Sequence, residues 1–496
     1  MDALKLSFIG MIIFLGVMQL SVAQESDDTI EFGSVIQGQI EDKAQSWRFE
    51  AGAQSLISIY VKGLNGFDPK VILTDANGIL IGSNDDMAYP DDLDAGIQAL
   101  SIPQAGQYII QVSGSGNSQG QFQLRLLEGY LNDRELDFED ENWIKDPSGS
   151  LDPTENGEIK FEIDAVGQRE IYHYETEEEA LYSSVQFKDL DWVNGYIVGN
   201  IFAYQDGQNY DAILVNHQAL WSLIRVRDGQ ESIIRDWTTN SSLEANASSF
   251  RLAVLRYGKT VDIFYQGQYV DSVTLKDIAG QAFGFLVESA AAQNSQLSGK
   301  IQRVDLSLPK ADLVPDYVYP VNRANMVQNY QRLLLIPDGG KMLMTVPEGF
   351  AQGGLAGISK FPLAQGNQFA EFIFSTSIKQ NTTGEGISGC GISFHDQGSA
   401  YMLAYVDNTG SVGLNPFKED VFETGLFRED MPLSGSGNHT LVVIVREEYL
   451  YYVDGWLVGR LEKVFENGGT NQVLVNFDAV TTSCSFLDTW LWGSNP

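Results

Sequence analysis

The sequence predicts an all-β protein built of three β-sandwich modules, and three observations carry that expectation. Short segments alternating apolar and polar residues recur along the chain, as in Ser55-Leu56-Ile57-Ser58-Ile59-Tyr60-Val61 and Gln121-Phe122-Gln123-Leu124-Arg125-Leu126. The 49 glycines fall among turn signals such as Ala76-Asn77-Gly78 and Asp454-Gly455, while long amphipathic stretches are few. The last two thirds of the chain also contain two units that repeat one another. At 496 residues the chain is too long for one hydrophobic core, so several modules are expected.

Residues 1–23 read as a signal peptide. Lys5 precedes an apolar run from Leu6 to Leu20, and the small residues Ser21 and Ala23 lead to a cut before Gln24. The run is short for a membrane span of roughly 20 residues. No second long apolar segment follows, so the mature chain is expected to be exported, secreted or at the cell surface, without membrane insertion. Its net charge of −35 repels phosphate backbones and argues against a nucleic-acid partner.

Residues 24–129 form the first module. Gly38-Gln39-Ile40 precedes Trp47-Arg48-Phe49, and Phe67-Asp68-Pro69-Lys70-Val71-Ile72-Leu73 leads to Asp75-Ala76-Asn77-Gly78. Asn84-Asp85-Asp86 and Gly106-Gln107-Tyr108-Ile109-Ile110-Gln111-Val112 follow in order. This series resembles the bacterial pre-peptidase C-terminal domain. The resemblance implies a small jelly-roll-like sandwich that serves as an accessory, in some members with calcium.

An acidic segment, Asn132 to Asn142, reads as a linker, because like charges in a row resist packing. The second module spans 130–309 and the third 310–496, with Pro309 and Pro315 discouraging regular structure between them. Ile197-Val198-Gly199-Asn200-Ile201-Phe202 lines up with Ile387-Ser388-Gly389-Cys390-Gly391-Ile392, and Leu252-Ala253-Val254 with Leu441-Val442-Val443. The hairpin around Gln266-Gly267 matches that around Asp454-Gly455, and the closing strands carry Asp305 and Asp488. Order and spacing persist, which indicates duplication. Phe202-Ala203-Tyr204-Gln205-Asp206-Gly207-Gln208-Asn209-Tyr210 and Gly284-Phe285-Leu286-Val287 give both units a resemblance to the concanavalin-like lectin/glucanase superfamily, the laminin-G-like jelly roll. That fold hosts lectins, glycosidases, adhesion modules and spacers, so it implies architecture more than activity.

Cys390 and Cys484 are the two cysteines, and in an exported chain an even pair reads as a disulfide. No catalytic residue is assigned. Glucanases of the resembled superfamily need two carboxylates roughly 5 to 9 Å apart. The nearest match, Glu162-Ile163-Asp164 through Glu170, lacks the second Glu at the required spacing. The four histidines form no metalloprotease motif, and His395-Asp396 reads as a turn pair.

Calcium is the expected cofactor, since hard cations gather carboxylate and carbonyl oxygens. One candidate site is Asp85, Asp86, Asp91, Asp92 and Asp94, with Asp68 and Asp75 nearby. The other is Asp305 with Asp137 and Glu139; related jelly rolls place a calcium between the first strand and an Asp of the last. Trp221, Trp237 and Trp456 are the candidate sugar platforms. The expected function is non-catalytic binding or adhesion to an extracellular polysaccharide or cell-surface glycan. A structural component of a sheath, surface layer or filament, with self-association, stands as the alternative, and a carbohydrate-active hydrolase with atypical residues as the third reading.

Overall fold

The computed structural model describes residues 28–146, 153–154, 156–178, 180–310, 313–320, 322–336, 339–363, 369–419, 421–433 and 437–493. The predicted signal peptide lies outside them. The architecture is all-β, as the alternation predicts. In the first module the sheet Val35–Ile40, Gly120–Glu128, Leu56–Gly63, Ala95–Ser101 faces the strands Gln45–Ala51, Gly106–Gly114, Pro69–Asp75 and Leu80–Asn84. Trp47, Phe49, Val71, Leu73, Ile110, Phe122 and Leu124 fill the space between.

In the second module one sheet runs in the order Trp143–Asp146, Arg169–Tyr174, Ala282–Ser289, Tyr196–Asp206, Asn209–Asn216, Leu220–Arg227, Gln230–Thr239. The other runs Ile159–Ile163, Gln296–Leu308, Ala180–Val193, Phe250–Tyr257, Thr260–Tyr265, Gln268–Thr274. Among the described residues the third module repeats the central part of this order, without a counterpart of Trp143–Asp146. Gly469–Asn476, Ser388–Asp396, Ala400–Asp407 and Val412–Lys418 stand where Ala282–Ser289 through Leu220–Arg227 stand in the second. Cys390 and Cys484 are bonded, with Cα atoms 5.7 Å apart, joining the two sheets of the third module through its core.

Two stretches expected to resist regular structure are instead built into it. Within the acidic segment, Asn132–Glu135 pairs with the closing strand Gln296–Leu308, and Leu136, Phe138 and Trp143 enter the core. The apolar residues between the acids anchor the segment, and Arg125 and Arg303 neutralise Asp133 and Glu135 at 3.2 and 3.4 Å. Past Pro315, Tyr317–Val318 pairs with Leu80–Asn84 on one side, and Tyr317 with Trp456 on the other. That short strand fuses the first and third modules into one eleven-stranded sheet.

Asn322 caps the helix Arg323–Arg332 by accepting a hydrogen bond from the Asn325 amide. Met326, Val327 and Tyr330 of this helix cover Val442, Ile444, Leu450 and Tyr452 of the third module. The run Leu441-Val442-Val443-Ile444-Val445 is therefore apolar without alternation, because both of its faces are covered: Leu441, Val443 and Val445 point into the sandwich. On the second module, Tyr182, Ala253, Leu255 and Phe264 meet Leu56, Ala99 and Tyr130 in the same way.

The third module also holds a buried imidazole. His395 is 0 % exposed, its Nδ1 lies 3.1 Å from the Tyr449 hydroxyl, and its Nε2 has no hydrogen-bond partner. Burial, helped by Lys463, pushes its pKa down to about 4. The unfolded chain protonates this side chain near its ordinary value of about 6.5, whereas the folded chain resists until about 4. Stability is full above the ordinary value and falls as the pH drops through that window, by on the order of 3 kcal/mol. Chemical denaturation across the window is expected to show a shallower loss in His395→Gln than in the parent; equal slopes would contradict it.

Candidate functional site

Each sandwich of the duplicated pair has one sheet whose outer face is covered by its neighbours. The candidate site lies on the other sheet of the second module. Period-two alternation sends Tyr172, Tyr174, Val198, Ile213, Val215, Phe283 and Phe285 into the core. The opposite phase carries Arg169, Ile171 and His173 on one strand, Leu286 and Glu288 on the next, and Tyr204, Tyr210 and Trp237 beyond. Among the described residues no strand of the first or third module joins this sheet.

At one end of the face lies a groove of ≈ 620 Å³ lined by Asp146, Arg169, Ile171, Asp206, Gly207, Gln208 and Tyr210. Gly207 lies close against Asp146: a Cβ there would come within 2.0 Å of its carboxylate, which would have to move. Arg169 donates to Glu288 at 2.6 Å, to Glu231 at 2.8 Å and to the Tyr210 hydroxyl at 2.6 Å. Burial pushes the Glu288 carboxyl up, against the lowering pull of Arg169. Tyr204 donates to Asp146 at 3.1 Å, and its ring stacks on His173 with centroids 4.0 Å apart. Gly284 stands opposite His173 in the intervening strand, where a Cβ would meet the Tyr172 carbonyl oxygen at 2.0 Å. His173 is 7 % exposed and its Nδ1 has no hydrogen-bond partner; burial lowers its pKa.

The corresponding face of the third module has diverged. There Tyr401 stacks on Phe417 at 4.8 Å, with Lys360 3.9 Å from the centre of the Tyr401 ring. Lys360 donates to Asp396 at 2.8 Å, and Asn471 donates to the same carboxylate at 2.6 Å. Asp396 therefore does not serve the neighbouring His395, which turns to Tyr449 instead.

The tryptophans expected as sugar platforms separate. Trp221 is a core residue, 2 % exposed, because it lies on the inward phase of its strand, so its ring is closed to a ligand. Trp456 packs on Tyr317 at 4.9 Å and closes the seam between the first and third modules. Trp237 packs on the outer face of the groove-bearing sheet, partly exposed. Glu162 and Glu170 lie on strands of opposite sheets and form no pair. The groove's Arg169 and Asp146 were missed, because they converge from separate strands; the Asp206 to Tyr210 turn was quoted for the fold alone.

The acidic residues of the first module also divide. Asp75 closes a turn by accepting from the Asn77 and Ile79 amides, and Asp94 accepts from Tyr60 and Gly63 at 2.6 and 2.8 Å. Asp92 pairs with Lys310, and Asp91 is exposed. Asp68, Asp85 and Asp86 each keep one buried carboxylate oxygen with no hydrogen-bond partner. Burial first, then Asp85, Asp68, Asp316 and Asp92, push Asp86 up to about 6. Asp316, which accepts from the Asp85 amide at 2.8 Å, belongs to the segment joining the second and third modules and was not anticipated. Among the described residues no group of three or more His, Cys, Asp or Glu side chains is arranged to hold a metal ion.

The second expected calcium site does not assemble. Asp305 accepts from Arg303 at 2.5 Å and Ser184 at 3.1 Å, so a guanidinium already supplies the positive charge. Asp137 closes a turn on the Glu139 amide. The match between Asp305 and Asp488 also fails. Asp305 sits in regular pairing opposite Ser184, whereas Asp488 lies in a bulge at φ 46°, exposed and paired with Arg323.

Residues 43–114 match the family model described as the bacterial pre-peptidase C-terminal domain. A comparison with curated proteins gave no match. Among solved structures, the carbohydrate binding module CBM66 from Bacillus subtilis is 15% identical, over 34% of this chain and 96% of its own, at a TM-score of 0.27. The β-glucanase of Bacillus licheniformis is 13% identical, over 36% of this chain and 99% of its own, with a TM-score of 0.27. The pre-peptidase C-terminal domain of a Bacillus anthracis collagenase is 19% identical, over 21% and 96%, with a TM-score of 0.18.

Proposed function

We propose that this is an exported saccharide-binding protein that holds an extracellular or cell-surface glycan in the groove of its second module. The observation that carries the reading is the groove itself. It is an open depression on a sheet that, among the described residues, no other module joins, with hydrogen-bonding groups at its lip. Saccharides present many hydroxyls, and the carboxylates, guanidinium and amide that line the groove can meet them. The reading is non-catalytic, because the sequence carries no carboxylate pair at glucanase spacing; beside the groove, Glu231 and Glu288 are both held by Arg169. Gln208 is exposed at the lip, and replacing it leaves the core intact. Gln208→Ala is expected to weaken binding of a recognised oligosaccharide by about two- to tenfold, the worth of one hydrogen bond. Calorimetric titration measures the change, and an unchanged affinity would count against the groove. Reducing ends released from the bound glycan would contradict the non-catalytic part.

In the same reading the first module takes calcium as an accessory. Asp68, Asp85 and Asp86, with Asp316 beside them, are not arranged to hold an ion as they stand and would draw together on it, its charge satisfying three buried carboxylate oxygens. Saturating calcium is then expected to raise the melting temperature over chelator-treated protein, by about 2.7 kcal/mol of linkage at a hundredfold excess over Kd. Asp68→Asn is expected to abolish the rise. An identical melt with and without the ion would remove calcium from the account.

A further inference from the structure

The groove's charge is unbalanced in a way that selects among saccharides. Its one cation, Arg169, is taken up by Glu231, Glu288 and the Tyr210 hydroxyl. The other two charged groups at the lip, Asp146 and Asp206, accept hydrogen bonds from neutral groups. Asp146 takes the Tyr204 hydroxyl, and Asp206 takes the Gln208 amide at 2.8 Å and the Asn209 side chain at 3.0 Å. Among the described residues no ion pair reaches either carboxylate. The groove is thus a net negative pocket, on a chain whose overall charge is −35.

From this geometry we infer that the groove takes a saccharide bearing a free amine, a glucosamine-type unit in its ammonium form, and rejects uronates. This rests on the saccharide reading above and deepens it. The ammonium would lie between Asp146 and Asp206 and supply the cation they lack, while the ring hydroxyls meet Gln208 and the Arg169–Tyr210 pair. A uronate would bring a third negative charge to the same lip, with the one nearby guanidinium already engaged. The acidic surface adds long-range attraction for a polycationic glycan, weakened by salt.

The test is calorimetric titration of the full mature chain with three hexasaccharides, of glucosamine, N-acetylglucosamine and galacturonic acid. It is run at mildly acidic pH and low salt. The glucosamine hexamer is expected to bind about five- to tenfold more tightly than its acetylated counterpart, as two partly screened charge pairs allow, and the uronate hexamer not at all. Asp146→Asn combined with Asp206→Asn is expected to bring the ratio of the first two affinities to within about twofold, with circular dichroism confirming the fold. Equal binding of amino and acetylated hexamers, tighter binding of the uronate, or an undiminished ratio in the double variant would overturn the inference and leave the saccharide reading standing. Failure of all three hexamers to bind would overturn both.

Discussion

Arg332→Ala is expected to destabilise the junction of the second and third modules by about 3–5 kcal/mol, the cost of leaving a buried charge without its partner. Arg332 and Asp262 are 2 % and 0 % exposed, and Nε meets Oδ2 at 2.8 Å. Gln328 donates to the other carboxylate oxygen at 3.3 Å, and the Tyr130 hydroxyl donates to the Arg332 carbonyl at 3.0 Å. The helix end thus ties Tyr130, the sheet of the second module and the third module's outer face at one point. Truncating Arg332 leaves Asp262 in an environment with no water to solvate it. By scanning calorimetry the affected transition should fall by on the order of 10 °C. The companion variant Arg332→Met with Asp262→Leu, which removes both charges, should recover most of that loss. If single and double variants melt alike, the pair does not lock the modules.

Removing the disulfide is the second large effect. Cys390 and Cys484 are 0 % exposed and 94 residues apart, and they join the two sheets of the third module. Chain entropy assigns a loop of this length about 4 to 5 kcal/mol. Cys390→Ala with Cys484→Ala should therefore lower the melting of the third module by about 10 °C, while the first and second modules keep theirs. Because both sulfurs are buried, a thiol reductant should leave the native chain oxidised and act once denaturant is present. Rapid reduction of the folded protein would contradict the burial, and an unshifted melt the energetic role.

The sheets were legible because alternation is a local signal. Ile159-Lys160-Phe161-Glu162-Ile163 reads as a half-buried strand and is one. The duplication was legible for the same reason, since its strands occur in one order twice. What escaped were features set by contact between modules. Tyr317-Val318 is too short to announce itself as a strand, and it becomes one because two open sheet edges flank it. The acidic stretch looked like a linker because charge was weighed and the interleaved Leu136 and Phe138 were not. The site was the least legible part. Trp221 was expected as a sugar platform, but its inward phase at a bulged strand pairing takes it into the core. The groove is assembled from Asp146, Arg169 and Tyr210, which are unremarkable one by one in sequence.

The central claim, that a saccharide occupies the second module's groove, is tested most directly by hydrogen–deuterium exchange of the full chain with and without a bound oligosaccharide. Slowed exchange is expected in Trp143–Asp146, Arg169–Tyr174 and the turn from Asp206 to Tyr210. Protection confined to the third module's Ala400–Asp407 and Val412–Lys418, or no change at the groove at saturating ligand, would contradict it.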